Sequence, residues 1–91
     1  MAEIEIKQMP GFKKAYKKLH VSEKQYVNEA IVRICAEPTC GKQKKGDLAG
    51  VYVYKFKIKT KQMLLAYEWD PNTRILLAIG VHENFYRDLK I

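Results

Sequence analysis

Residues 51–61 read Val51-Tyr52-Val53-Tyr54-Lys55-Phe56-Lys57-Ile58-Lys59-Thr60-Lys61. Successive side chains of a β-strand point to opposite faces, so an extended chain here is aromatic and aliphatic on one face. That face suits a core, and the opposite face carries lysines about 7 Å apart. Such a row of ammonium groups predicts a binding surface for a polyanion. Lysines also keep sheet edges from pairing with other chains, so the strand alone leaves both interpretations open.

The composition indicates one small globular domain spanning residues 1–91. The chain is 47% hydrophobic and 30% charged, which is typical of a folded protein with a single core. Its net charge of +7 favours an acidic partner, either nucleic acid or protein. No run approaches the roughly 20 apolar residues of a membrane helix, and the first residues lack a signal-peptide pattern. We therefore expect a cytoplasmic protein with no membrane association.

The two cysteines, Cys35 and Cys40, are separated by four residues. Without further ligands nearby, this C-x4-C spacing makes a poor metal site. We expect two reduced thiols, no metal and no cofactor.

Two amphipathic helices are predicted before the lysine-rich strand. After an alternating strand at residues 3–7, Pro10 begins a helix with lysines on its solvent side. Ser22, with Gln25 three residues later, predicts the capped start of a second helix, and Pro38 ends it. The short connection between the helices predicts an antiparallel hairpin. The inward positions are Phe12, Ala15, Tyr16 and Leu19 in the first helix and Val27, Ala30, Ile31 and Ile34 in the second.

Two more strands are predicted after the lysine-rich strand. Residues 63–69 and 75–81 are apolar at nearly every position, as in strands that are covered on both faces. Asp70-Pro71-Asn72-Thr73 supplies the turn between them. Residues 83–90 predict a short helix with Phe85 and Leu89 facing inward. The predicted fold is α+β: an N-terminal strand, a helical hairpin packed on a three-stranded antiparallel meander, and a short C-terminal helix, with residues 39–50 as a loop.

The order of these elements and three motifs together resemble the RelE/ParE superfamily of bacterial toxins from type II toxin–antitoxin operons. The motifs are Gly46–Gly50 leading into Tyr54–Ile58, then Leu64–Glu68, and finally Gly80–Tyr86. The last is similar to the G-x-H-x-x-[LF]-[FY] ending of the YafQ-like branch. The resemblance covers essentially the whole chain.

The resemblance implies a catalytic site made of Lys55, Lys57, His82 and Tyr86. RelE-like and YafQ-like toxins are metal-independent endoribonucleases that cut mRNA on the ribosome, where a 2′-hydroxyl attacks its own 3′ phosphate. Lys55 and Lys57 match the lysines that hold the phosphate and assist proton transfer. His82 matches the catalytic histidine of the YafQ-like branch, and Tyr86 matches an aromatic position. The chemistry agrees, because this reaction needs a base, an acid and positive charge on the phosphate.

A wider set of cations is predicted to contact RNA phosphates. Solvated loops and tails often carry such charges, so the alternative interpretation of each of these residues is a surface charge without a ligand. The set is Lys42, Lys44, Lys45, Lys59, Lys61 and Arg87.

The sequence departs from the family pattern at two points. Leu64 stands where RelE-like toxins carry an arginine, and an arginine that clamps phosphate with two hydrogen bonds has no substitute in leucine. YafQ-like toxins lack that arginine too, but they usually have further histidines, and this chain has none between His20 and His82. Two alternatives therefore stay open: a ParE-like inhibitor of DNA gyrase that acts by protein contact, and a basic adaptor domain with neither activity.

An acidic antitoxin is the partner that the resemblance implies for either kind of toxin. Such antitoxins wrap a partly disordered acidic segment around a basic toxin surface. The first helix is one place for this segment, through Phe12, Tyr16, Lys13 and Lys17.

Overall fold

The computed structural model describes residues 3–46, 49–82 and 85. In chain order the elements are β1 Glu5–Gln8, α1 Pro10–Lys17, α2 Val21–Ala36, a 3-10 turn Pro38–Cys40, β2 Lys42–Gln43, β3 Tyr52–Ile58, β4 Lys61–Asp70 and β5 Thr73–Val81. The strands form one sheet in the order β1-β5-β4-β3-β2. Strands β3, β4 and β5 are the predicted antiparallel meander. The α+β prediction is confirmed, with a parallel β1–β5 pair at one edge and a short extra strand, β2, at the other.

The sheet has two different faces. On the helix face, the inward residues of β3, β4 and β5 pack with both helices into the larger core. On the opposite face, which we call the outer face, lies a second, smaller apolar cluster. The outer face comprises Val51, Val53, Lys55 and Lys57 along the β3 segment, Leu64 and Ala66 in β4, Gly80 in β5, and Phe85, which packs over it.

Strand β4 is the central strand and is covered on both sides. Residues 63–67 are all buried, because Met63, Leu65 and Tyr67 face the helices while Leu64 and Ala66 face Phe85. A core on each side of one strand explains why its sequence does not alternate. The prediction that this strand is covered on both faces is confirmed.

The two helices pack on the sheet at different places. Helix α1 contacts β5 and α2 contacts β3. As predicted, Pro10 begins α1, and Phe12 is in the core. Helix α2 begins two residues earlier than predicted: its N-cap is His20, whose backbone N–H donates to Glu23 Oε1 at 3.1 Å. The prediction that Ser22 caps this helix is therefore wrong. A bond of the predicted kind is present, because the side chain three residues after the N-cap accepts a hydrogen bond from the N-cap backbone; here it is Glu23 and not Gln25.

The lysine row is shorter than the sequence suggests. Strand β3 ends at Ile58, and Lys59 and Thr60 form a turn in which Lys59 has φ 57°. The turn pairs Ile58 with Lys61, so Lys61 lies on the helix face. The expectation that Lys59 and Lys61 continue the row of Lys55 and Lys57 is wrong, because the chain reverses before reaching them.

Arg74 fastens the carboxyl end of α2 to the sheet. Only 3% of this residue is exposed, and its guanidinium donates to the carbonyl oxygens of Ile34 at 3.1 Å and Cys35 at 3.0 Å. Further bonds reach the carbonyls of Asp70 at 2.6 Å and Thr73 at 3.1 Å. The last carbonyls of a helix carry partial negative charge, which compensates for burying the cation.

Tyr67 fixes the chain between α2 and β2. Its hydroxyl donates to the Pro38 carbonyl at 2.6 Å and accepts from the Gly41 N–H at 3.0 Å. A Cβ on residue 41 would lie 2.6 Å from that hydroxyl, so the position requires glycine. Burial raises the pKa of Tyr67, against a smaller opposing effect of the Gly41 N–H, so the phenol stays neutral and serves structure.

Both cysteines are free and half-buried. Burial raises the pKa of the Cys35 thiol, and the nearby Arg74 charge only partly offsets this. At neutral pH the thiol is therefore protonated and a poor nucleophile.

In the part of the chain that the structure describes, no helix is both long and apolar enough to span a membrane. Within the predicted C-terminal helix over residues 83–90, Phe85 is described and is buried as predicted, at 3% exposure. The rest of that helix, including Leu89, falls outside the described residues and stays a prediction.

We predict that Arg74→Met lowers the free energy of unfolding by about 3 kcal/mol, because it removes four charge-assisted hydrogen bonds and leaves buried carbonyls unpaired. Arg33→Met is the matched control. Arg33 is exposed and forms a 3.6 Å ion pair with Glu37 one helical turn away, so its loss should cost under about 0.5 kcal/mol. Urea denaturation of both variants measures the difference, and equal effects would contradict this role of Arg74.

Candidate functional site

The outer face presents two exposed lysines on one strand. Lys55 pairs with Leu64 and Lys57 pairs with Gln62 across β3 and β4. Leu64 in turn pairs with Gly80, so Lys55, Leu64 and Gly80 form one row across three strands. Both lysine side chains are exposed. The strand holds them about 7 Å apart along one edge of the outer face.

Strand β2 lies within the residues that were predicted as a loop, and it brings a further lysine to the outer face. Lys42 pairs with Val53, and the Lys44 N–H donates to the Val51 carbonyl at 2.8 Å, so the pairing continues for one residue past the strand. Val51 and Val53 belong to the outer face, and Lys42 therefore joins Lys55 and Lys57 there. Because Lys42, Gln43 and Lys44 are all polar, no apolar alternation in the sequence could have revealed this short strand. Lys45 is exposed beyond the paired residues.

His82 lies where the chain passes from one face of the sheet to the other. Val81 pairs with Met63 on the helix face, and Phe85 packs on the outer face, so the crossing occurs between them. One residue beyond the Val81–Met63 pair, His82 follows alongside Gln62, the partner of Lys57. Its side chain is exposed. Strands β3 and β5 are two strand spacings apart, so the backbones of Lys57 and His82 are separated by about 10 Å.

The centre of the outer face is apolar. Leu64 is 2% exposed, and Phe85 packs against the cluster that contains Leu64, Val53 and Ala66. An ideal Cβ on Gly80 would lie 3.6 Å from the Phe85 ring, which shows how closely this ring approaches β5. Lys42, Lys55 and Lys57 therefore lie along one edge of a covered hydrophobic patch, and a buried leucine stands at the position where RelE-like toxins carry an arginine. Tyr86 and Arg87 lie outside the described residues.

Glu68 and Asp70, the acidic residues near the carboxyl end of β4, are far from Lys57 and His82. Glu68 is six residues along the strand from Gln62, a distance of about 20 Å. Asp70 accepts the Asn72 N–H at 2.8 Å and stabilises the β4–β5 turn. Neither carboxylate can share a substrate phosphate with His82.

Lys61 is engaged on the helix face. Its ammonium lies 2.7 Å from Glu23 Oε2, and the other oxygen of Glu23 accepts the His20 N–H. The hydrogen bond from Lys61, followed by that from the His20 backbone, holds the pKa of Glu23 below its ordinary value. Lys61 thus ties the β3–β4 turn to the start of α2, and Lys59, exposed in the turn, lies beyond the end of the lysine strand.

The first helix offers less to a partner than the sequence suggests. Phe12 is 1% exposed, so the expectation that it contacts an antitoxin is wrong: it is a core residue. Tyr16 stacks on Phe12 with ring centroids 5.8 Å apart, donates to Asn28 Oδ1 at 2.8 Å, and lies 5.4 Å from the Lys24 ammonium. Lys13 and Lys17 are exposed.

Comparison with protein families gives one match over nearly the whole chain. Residues 6–90 match the model of a family described as ParE-like toxin of type II bacterial toxin–antitoxin system. No curated protein sequence matches significantly.

Solved structures of toxins share this fold. The toxin–antitoxin complex RelBE2 from Mycobacterium tuberculosis matches with a TM-score of 0.73 and 20% identity, over 89% of this chain and 100% of that one. The YoeB dimer from Staphylococcus aureus matches with a TM-score of 0.70 and 22% identity, over 89% and 99%. The intact RelBE complex from Escherichia coli gives 0.67 and 16%, over 85% and 94%. At these identities the likeness concerns the fold.

We predict that Lys61→Met raises the pKa of Glu23 toward its ordinary value near 4.5, because the largest cause of its depression is removed. Since the folded pKa is the lower one, this carboxylate stabilises the fold above its unfolded pKa, and that contribution is lost as the pH falls through the folded pKa. Carboxyl carbon NMR titration measures the change. Lys59→Met is the control and should leave the Glu23 titration unmoved; a Glu23 pKa unchanged in Lys61→Met would contradict the pairing.

Proposed function

Because the chain belongs to the ParE-like toxins of type II bacterial toxin–antitoxin systems, we propose that it arrests growth as a metal-independent endoribonuclease that cuts mRNA on the ribosome. One observation supports the proposal: Lys57 pairs with Gln62, and the exposed His82 directly follows Val81, which pairs with the adjacent Met63, so the two backbones lie about two strand spacings apart. Lys57 and His82 flank Gln62, and Lys55 lies in the neighbouring row.

The proposed reaction is cleavage through the 2′-hydroxyl. This oxygen attacks the adjacent phosphorus, the bond to the 5′ oxygen breaks, and a 2′,3′-cyclic phosphate forms. A base takes the proton from the 2′-hydroxyl, and an acid supplies a proton to the departing 5′ oxygen. Lys55 and Lys57 neutralise the charge that grows on the phosphate. His82 moves one of the two protons, and the ammonium of Lys57 is the proposed group for the other.

The small number of acid–base and phosphate-binding groups explains why the proposed cleavage would depend on the ribosome. Leu64 leaves the phosphate without a bidentate arginine, so the protein positions it only through flexible lysine side chains. Holding the reacting atoms in line then falls to a substrate that is already shaped, and such orientation accelerates reactions by many orders of magnitude. We propose that the ribosome provides this orientation, as in the YafQ-like branch that His82 favours.

A second candidate is poisoning of DNA gyrase by protein contact. The apolar centre of the outer face favours it, because Leu64 and Phe85 occupy the middle of the proposed nuclease surface. In that case Lys55 and Lys57 serve as contacts to a protein or as surface charge.

For either activity we propose an acidic antitoxin as the partner. Among the solved structures with this fold are complexes of toxin and antitoxin from M. tuberculosis and E. coli. The net charge of +7 on this chain is complementary to an acidic segment.

We predict that Lys55→Ala, Lys57→Ala and His82→Ala each relieve growth arrest when the protein is expressed without a partner. Each should slow mRNA cleavage by on the order of 100-fold, the usual contribution of one acid–base or charge-stabilising group. Sequencing of transcript 5′ ends after induction provides the measurement: cuts phased with codons in translated messages are expected for the unmodified chain.

Lys17→Ala is the matched control, since Lys17 is an exposed lysine of α1, on the other side of the sheet. It should leave arrest and cleavage unchanged, and circular dichroism should show all four variants folded. Intact transcripts together with linearised plasmid trapped by gyrase would replace the nuclease with the second candidate.

A further inference from the structure

A groove of about 270 Å³ separates α2 from β3 on the helix face of the sheet. We call it the α2–β3 groove. One row of helix positions lines it on the α2 side, and the end of the lysine-rich strand lines it on the other. The residues that matter for its chemistry are Tyr26, Glu29 and Arg33 from α2 and Tyr54, Phe56 and Lys57 from β3.

Three aromatic rings line this groove. Tyr54 and Phe56 are half-buried, and their rings lie nearly parallel with centroids 5.9 Å apart. Tyr26, which is 38% exposed, lines the groove from the helix. The helix row also contains Ala30, whose small side chain leaves space between the helix and the strand. Proteins that bind single-stranded nucleic acid hold bases by stacking them on such aromatic side chains.

The direction of α2 fixes the order of groups along the groove. Glu23 in the first turn of α2 contacts Lys61, just after the end of β3. Pro38, just after the end of α2, contacts Tyr67, the partner of Tyr52 at the start of β3. Helix α2 therefore runs antiparallel to β3, and its first turns lie beside the last residues of the strand.

The groove carries a cation at each end and a carboxylate between them. Lys57 lies at the end near the start of α2, Arg33 at the other end, and Glu29 in the middle, and all three are exposed. Arg33 forms a 3.6 Å ion pair with Glu37. Within residues 3–46, 49–82 and 85, neither Glu29 nor Lys57 forms an ion pair or a side-chain hydrogen bond. The groove thus matches a flat ring that donates hydrogen bonds at its centre and carries an anion at one end.

Guanine is the nucleobase that fits this carboxylate best. Its Watson–Crick edge presents two neighbouring N–H donors, on N1 and on the exocyclic N2, and a carboxylate can accept from both. Adenine and cytosine place an amino group beside a ring nitrogen that is an acceptor, and uracil places one N–H between two carbonyls. With each of these bases, one oxygen of Glu29 would face another acceptor.

Lys57 connects the groove with the outer face. Its register places it beside Lys55 on the outer face, and it also lines the groove. Strand β2 pairs only with Tyr52 and Val53, so among the described residues no strand covers β3 at Lys57. A nucleic acid strand whose phosphate contacts Lys57 can therefore place a neighbouring base in the groove.

We infer that the α2–β3 groove binds a guanine nucleotide, with the base stacked on its aromatic rings, the Watson–Crick edge at Glu29 and the phosphate at Lys57. That this guanine belongs to the messenger RNA beside the cleaved phosphate rests on the proposed function. The groove would then select the position of the cut, while the chemistry takes place on the outer face.

The first probe is guanosine monophosphate, with adenosine monophosphate as the matched control, titrated into the purified chain without RNA or ribosomes. The guanine nucleotide should shift the ring NMR signals of Tyr26, Tyr54 and Phe56. It should bind on the order of tenfold more tightly than the adenine nucleotide, as expected for a contact of two hydrogen bonds. Equal affinity for both nucleotides, or shifts confined to α1 or to the outer face, would overturn the inference.

Variants of α2 test the two contacts separately. Glu29→Gln should weaken binding of the guanine nucleotide on the order of tenfold, because an amide offers one acceptor in place of two. Glu5→Gln is the control, since Glu5 is exposed on β1 at the opposite edge of the sheet, and it should bind normally. Tyr26→Leu should weaken binding by a similar factor, whereas Tyr26→Phe keeps the ring and should bind normally. Unchanged binding by Glu29→Gln would contradict the assignment.

A six-residue 2′-O-methyl RNA with one guanine distinguishes a base within RNA from a free nucleotide, since it cannot be cleaved through a 2′-hydroxyl. If the groove serves RNA, this oligonucleotide should bind more tightly than the mononucleotide, and Lys55→Ala should reduce that gain. Equal affinity for the two probes would retain the guanine site and reject its assignment to messenger RNA.

Cleavage is measured separately from binding. Transcript 5′ ends produced by the unmodified chain should be enriched in guanine next to the cut, and Glu29→Gln should abolish this enrichment while cleavage continues. A chain that binds the guanine nucleotide in the groove but leaves transcripts intact would support the groove and reject the nuclease proposal. A chain that cuts mRNA but does not bind the nucleotide would do the reverse.

Discussion

The pairing of β3 with β4 is the constraint on which the rest of the structure depends. The two-residue turn at Lys59 and Thr60 sets Ile58 opposite Lys61 and thereby fixes every pair back to Tyr52 and Tyr67. A slip of one residue would bring Lys55 and Lys57 into the core and expose the aromatic residues between them. The hydrophobic core on the helix face therefore enforces the position of the cations on the outer face. The Lys61–Glu23 ion pair ties the same turn to the start of α2.

Local patterns in the sequence were sufficient for the architecture, and long-range contacts account for what they missed. Alternation predicted β3, and an uninterrupted apolar run predicted a β4 covered on both sides. The lysine row was extended too far because Lys59-Thr60 contains none of the residues that usually mark a turn, and Lys59 adopts a positive φ. The α2 start was misplaced because Glu23 and Gln25 each follow a possible cap by three residues. Nothing in the sequence indicated that Arg74 is buried, since an acceptor such as the Ile34 carbonyl lies 40 positions earlier in the chain.

The candidate site remains a prediction in its residue types. The motifs point to Lys55, Lys57 and His82, and the register places the end of β5, which His82 follows, two strands away from Lys57. The sequence could not reveal that Phe85 covers Leu64 in the middle of that face, because this contact joins the chain end to the central strand. Nor could it reveal that β2 brings Lys42 onto the same face. Lys42, Lys55 and Lys57 accordingly lie along one edge of an apolar patch.

Energetic coupling between Lys57 and His82 is the most direct measure of whether they act on one phosphodiester. Cleavage of a single ribosome-bound message would be timed for the unmodified chain, for Lys57→Ala, for His82→Ala and for the double variant. Groups that serve the same transition state lose their effect together, so the double variant should be scarcely slower than the worse single variant. Losses that multiply in the double variant, or an unmodified chain that leaves the message intact, would contradict a shared site.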